Sequence, residues 1–171
     1  CVVQAVDALE NATDLLATQR VENREFDKWL THNVNSHKKP GYAIVTLTLK
    51  KTGTPPGDVT DFQLEQIADL ADEYSYGEAR ATHEQNVVLA DVRQDRLFEL
   101  WQKLVPLGFA TANLNTLNDV ICCPGGDFFA LAHAKSIPVA EALQRRFYYL
   151  AFLFALGPPP LHLPLLRPPP C

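Results

Sequence analysis

Apolar and polar residues recur along this chain in two different periods, and the switches between them mark its elements. From Val2 to Val34 the apolar residues fall at helical spacing: Val2, Val3, Val6 and Leu9, then Leu15, Leu16, Phe26, Trp29, Leu30 and Val34. Residues 1 to about 34 are therefore expected to be helical, with Asn11 or Asn23 capping a break between two helices. Pro40-Gly41 ends that arm. Tyr42 to Leu49 alternates and is rich in β-branched residues, which predicts a strand. A loop follows, from Lys50 through Pro55-Pro56-Gly57 to Asp58. Thr60 or Asp61 is placed to cap a helix that runs through Phe62, Leu64, Ile67, Leu70 and Ala71 to about Tyr74, and Gly77 breaks it. Glu78 to Val92 predicts strand, turn, strand, with His83-Glu84-Gln85-Asn86 between the apolar runs. Arg93 to Leu107 predicts a further helix, with Leu97, Leu100, Trp101 and Leu104 on one face and Pro106 and Gly108 closing it.

Strand, helix, strand, strand, helix across residues 39–108 implies an α+β layer, with helices on one face of a largely antiparallel sheet. The segment 109–119 is expected to be a polar connector. Asp127 to Arg146 has a helical pattern, in which Pro138 marks a kink or a helix start. From Tyr148 the composition changes: Tyr148–Cys171 has no acidic residue, one arginine and seven prolines. Its apolar run, Tyr148 to Leu156, falls well short of the roughly 20 residues of a membrane span. Pro158-Pro159-Pro160 excludes helix and sheet interior, so residues 157–171 are expected to lack regular secondary structure.

Length and composition narrow the classes. A chain of 171 residues with 47% hydrophobic content supports one sizeable domain or two small ones. A net charge of -5 without a Lys/Arg block argues against a nucleic-acid surface. The four cysteines, Cys1, Cys122, Cys123 and Cys171, are two termini and two neighbours, not a secreted disulfide framework. A reducing compartment, taken as the cytoplasm, is expected. No signal-peptide pattern opens the chain. The absence of methionine suggests an internal piece of a longer protein, or a chain whose start was removed.

The chemistry concentrates in Asn118–Phe147. Val120 and Ile121 lead into Cys122-Cys123-Pro124-Gly125-Gly126. A thiolate at a strand end before Pro-Gly-Gly suits an iron–sulfur ligand loop, because glycines let backbone N–H groups approach the cluster sulfurs. The plain alternative is a pair of inert thiols beside a turn; adjacent cysteines rarely bridge each other. Arg80 and Thr82 share a face by alternation, and Gln85 and Asn86 complete a polar hairpin that either binds a ligand or stabilises a sheet edge. Lys50 and Lys51 are expected to be solvated strand-end lysines, with neutralisation of cofactor carboxylates as the other role. His32, His37, His83 and His133 lack spaced partners, so none is assigned to a metal. The Gly125-Gly126 pair lacks the spacing of a dinucleotide fingerprint.

Two motifs carry a resemblance. THEQN within GEARATHEQNVVLADV, and CCPGGDFFALAHAKSIPVAEAL, are similar to segments of the siroheme- and 4Fe–4S-containing nitrite and sulfite reductases, of the hemoprotein beta-subunit type. The resemblance covers roughly residues 20–147. It implies a ferredoxin-like half domain that the family carries twice; GYAIVTLTLKKTGTPPGDVT resembles the second copy, so the first would lie outside this chain. It implies these divisions: a helical arm over 1–38, the half domain over 39–108, the start of a siroheme- and cluster-binding domain over 109–147, and a degenerate proline-rich tail over 148–171. It implies a six-electron reduction of sulfite to sulfide or nitrite to ammonia, fed by a flavoprotein or ferredoxin, without nucleic-acid or membrane partners. By the family's R-x-T-x-x-Q signature, Arg80, Thr82, Gln85 and Asn86 would lie on the siroheme side. By its C-x5-C pair, Cys123 holds the first cluster-ligand position and Phe129 stands at the second. The later C-x3-C pair would fall near Leu166 and Pro170, neither a cysteine. The chain alone is therefore expected to hold neither cofactor and to be inactive. A cofactor-free α+β interaction or scaffold module, descended from such an enzyme, is the competing reading.

Overall fold

One side chain breaks the helical arm in two. In the computed structural model, which describes residues 13–127 and 129–153, helix α1 (residues 13–22) ends at Asn23 and helix α2 (Arg24–Asn33) begins. Asn23 is extended, and its side-chain oxygen accepts the N–H groups of Glu25 and Phe26 at 3.1 and 3.0 Å. Two otherwise orphaned helix donors are thereby satisfied. The expectations for residues 1–12 and 154–171 lie outside the described residues.

The described residues fall into two compact units: those up to Thr48 with Val59–Ala112, and Leu49–Asp58 with those from Asn113 onward. The first unit is built on a four-stranded antiparallel sheet: β1 (Val34–Ser36), β2 (Tyr42–Leu47), β3 (Ala79–Ala81) and β4 (Val87–Arg93), in the order β1-β2-β4-β3. Val34 pairs with Val45, Leu47 with Val87, and Ala81 with Val87 from the other side. Strand β1 departs from the sequence reading, which ran the helix through Val34. The β-branched Val34 leaves the helix because a cross-strand partner is waiting for it on β2.

Helix α3 (Asp61–Tyr74) starts as expected at Thr60, whose hydroxyl oxygen accepts the Gln63 N–H while the Gln63 side chain returns to the Thr60 N–H. Helix α4 (Leu97–Leu107) follows a short 3-10 turn at Gln94–Arg96 and ends at Gly108. With φ at 82°, Gly108 lets its own N–H and that of Phe109 return to Leu104. The core of this unit joins Val45, Leu47, Leu89 and Val92 of the sheet to Ile67, Leu70, Leu97, Leu100 and Leu104 of α3 and α4. Phe26 and Trp29 of α2 are fully buried, and the Phe26 ring meets Phe98 edge-on at 5.0 Å and Trp101 at 5.5 Å. Asn33, also buried, donates its amide to the carbonyls of Thr46 and Thr111 at 3.2 and 3.1 Å.

In the second unit, the stretch expected to be a polar connector is half-buried: Asn113, Leu114 and Asn118 are inside. Asn113 donates its amide to the Lys50 carbonyl at 2.9 Å, which attaches the Leu49–Asp58 loop to this stretch. Helix α5 (Ser136–Leu153) begins later than the periodicity implied; residues 129–135 are not helical. Pro124 and two glycines start a turn there instead, and Pro138, third in α5, sits where helix N–H groups lack partners anyway. Among the described residues no helix is long and apolar enough to cross a membrane.

Candidate functional site

Two places carry the candidate chemistry, one in each unit. In the first unit it is the β3–β4 hairpin. Arg80 lies opposite Val88 on β3, an edge strand exposed along its whole length. Thr82, Gln85 and Asn86 form the turn between the strands. The Thr82 N–H donates to the Asn86 carbonyl at 2.9 Å, and the Asn86 N–H to the Thr82 hydroxyl at 3.2 Å. The Gln85 N–H reaches the Thr82 carbonyl at 3.2 Å, with Gln85 in the left-handed region at φ 57°. Asn86 is buried and His83 points into solvent. The predicted hairpin residues are thus adjacent, but Arg80 is engaged: its Nε donates to Glu78 at 2.5 Å. That bond holds the Glu78 carboxyl below the ordinary range and lifts the Arg80 guanidinium above its own.

In the second unit it is the cysteine turn. The two thiols have different surroundings. Cys122 is buried, which pushes its thiol pKa up, with Cys123 beside it adding to the rise and Lys50 opposing it. Cys123 is exposed, and its sulfur accepts the Gly125 N–H at 3.4 Å. Phe129, six residues after Cys123, is 63% exposed. Gly126 spends its N–H on the Ala134 carbonyl at 3.0 Å, so only one of the two glycines offers its N–H to a sulfur.

Sequence reasoning missed Lys50 here. The expected solvated lysine is buried, with its ammonium 2.5 Å from the Asp119 carboxylate. Asp119 also accepts the Asn115 N–H at 3.0 Å. No local signal announced it: alternation with Val45, Leu47 and Leu49 puts Thr46, Thr48 and Lys50 on the polar face, yet all three are buried. His37, left without a partner by spacing alone, has one: its Nε2 lies 3.3 Å from Asp91 of β4. His133 is exposed and has no assigned role. Among the described residues no three His, Cys, Asp or Glu side chains converge as a metal site.

Residues 38–107 match the family model described as the nitrite/sulfite reductase ferredoxin-like half domain. The chain is related to the nitrite and sulfite reductases. The half domain contains the hairpin and ends within α4. Similar proteins include the chloroplastic ferredoxin–nitrite reductase of Zea mays, 29% identical over 141 residues, which are 79% of this chain and 23% of that one. The ferredoxin–nitrite reductase of Synechococcus elongatus is 29% identical over 133 residues, 75% of this chain and 25% of that one. The chloroplastic protein of Oryza sativa subsp. japonica is 30% identical over 95 residues, 56% of this chain and 15% of that one. The chain spans about a quarter of the length of the first two.

The two implied groups fare differently on these residues. An exposed guanidinium on an open sheet edge suits the carboxylates of an anionic macrocycle such as siroheme. A 4Fe–4S cluster takes four thiolates. The turn supplies one accessible thiol and one buried thiol, and Phe129 has no donor atom, so this donor set does not fit the cluster.

Proposed function

We propose that this chain is part of a siroheme-dependent reductase that converts nitrite to ammonia, or sulfite to sulfide, and is inactive by itself. The observation that supports it most is the half domain with the Arg80–Asn86 hairpin on its exposed edge. Siroheme, when bound, would supply the iron that takes up the anion. Arg80 would hold a cofactor carboxylate, exchanging its Glu78 contact for that one. Thr82, Gln85 and Asn86 would keep the hairpin in shape through the bonds described above. The names of the relatives favour nitrite as the substrate and ferredoxin as the donor.

The test uses the longer reading frame that contains this segment, purified anaerobically and assayed for siroheme and for ferredoxin-driven loss of nitrite and of sulfite. Siroheme binding that falls in Arg80→Ala, with reduction of one anion, is the expected result. A folded longer protein that binds no siroheme and reduces neither anion rejects the reading. That second outcome is what the competing reading, a cofactor-free interaction module, requires. Phe129, which has no donor atom where the resemblance expects a cluster ligand, favours it.

A further inference from the structure

We infer that the described residues of the turn, 122–127 and 129–136, close on their own backbone and keep their shape without iron. The inference deepens the family reading, since it concerns the loop that reading assigns to a cluster. Ligand loops of small metal sites often owe their fold to the metal, because binding energy and folding energy are the same quantity there.

This turn has other closures. The Phe129 N–H donates to the Gly125 carbonyl at 2.9 Å, and the Ala132 N–H to the Phe129 carbonyl at 3.0 Å. The Gly126 N–H reaches the Ala134 carbonyl at 3.0 Å, tying the start of the turn to its end. Gly125 makes the approach possible. Its φ is +58°, and a Cβ there would lie 2.6 Å from both the Ala134 carbonyl oxygen and the Ser136 hydroxyl. The returning chain therefore occupies the space beside the glycine. The side chains at 129 and 131 turn outward, 63% and 88% exposed. Three backbone bonds and one glycine thus hold this loop closed. Phe129 replaces a ligand without opening the turn, because the closing bonds use the backbone at 129 and not its side chain.

Amide hydrogen exchange on the full chain tests this. Samples are compared after chelator treatment under reducing conditions and after anaerobic incubation with iron and sulfide. The expected result is slowed exchange at Gly126, Phe129 and Ala132 in the metal-free protein, unchanged by iron and sulfide, with iron well below four per chain. In Gly125→Ala that slowing should disappear at the same three amides, while Val45 and Leu89 stay protected. Slowing that appears only with iron and sulfide, or a Gly125→Ala chain that keeps it, overturns the inference. A requirement for iron would fail this inference while strengthening the reductase reading. A longer protein inactive toward both anions would fail the reductase reading and leave these amides as they are.

Discussion

The half domain and the cysteine turn hold their shapes by opposite means. The half domain, with α2 of the arm before it, gathers side chains from α2, α3, α4 and the sheet, elements far apart in sequence, into one apolar interior. The turn is held within Cys122–Ser136 by backbone bonds and by the missing Cβ of Gly125. The first arrangement depends on many residues and on no single bond. The second depends on few residues and tolerates a change such as Phe129, whose side chain takes no part in the closure. That contrast suits a chain in which residues 38–107 match the family model while Phe129 stands exposed on the turn.

The largest effect should come from the interior of the first unit. Trp29→Ala removes a fully buried ring and should cost about 3–5 kcal/mol, read as a lower urea midpoint by far-ultraviolet circular dichroism. A loss below 1 kcal/mol would mean that the arm is not part of this core. Next is the buried pair of the second unit. Lys50→Met alone leaves Asp119 without its ammonium and should cost roughly 3 kcal/mol, and Lys50→Met with Asp119→Leu should recover much of that loss. If the double variant is as unstable as the single, the pair is not the cause. Smaller again is Gly125→Ala, which forces a side chain into the left-handed region at about 1–2 kcal/mol. The loss should be confined to the turn; a uniform loss across the half domain would erase the contrast.

The smallest effect is electrostatic. Hydrogen bonds from Arg96 and then Tyr74 hold the Glu99 carboxyl below its ordinary value of 4.5. A depressed carboxyl contributes stability that is fully present above the unfolded value and is lost as pH falls through the folded one. Glu99 is half-exposed, so solvent screens the effect. Glu99→Gln should therefore lower Tm slightly at neutral pH and leave it unchanged well below pH 4, where both proteins carry a neutral group. A difference that grows on acidification would reverse the sign of this assignment.

The local elements of the first unit were readable in the sequence. Thr60 with Gln63, Gly108 after α4 and Asn23 before α2 each state a helix end in their own chemistry. The hairpin was readable because apolar residues, Ala79 and Ala81 before and Val87 to Leu89 after, flank His83–Asn86. What escaped was decided by distant partners. Val34 joins β1 because Val45 faces it, and Lys50 is buried because Asp119 lies beyond the whole half domain in sequence. The start of α5 was half legible: Pro138 offered a helix start there, periodicity carried the helix back to Asp127, and the turn closure over residues 129–135 that decides between them cannot be seen in periodicity.

Asn33 sets an order of events for the nascent chain. Its carboxamide is shared between a carbonyl of β2 and that of Thr111, a partner 78 residues further on. At synthesis rates of about 5–20 residues per second, that partner arrives roughly 4–16 s after Asn33 itself. Through that interval the end of α2 can meet β2 but not its second acceptor. The helical arm is made before the half domain, and its second acceptor is in place only when the chain beyond α4 has emerged.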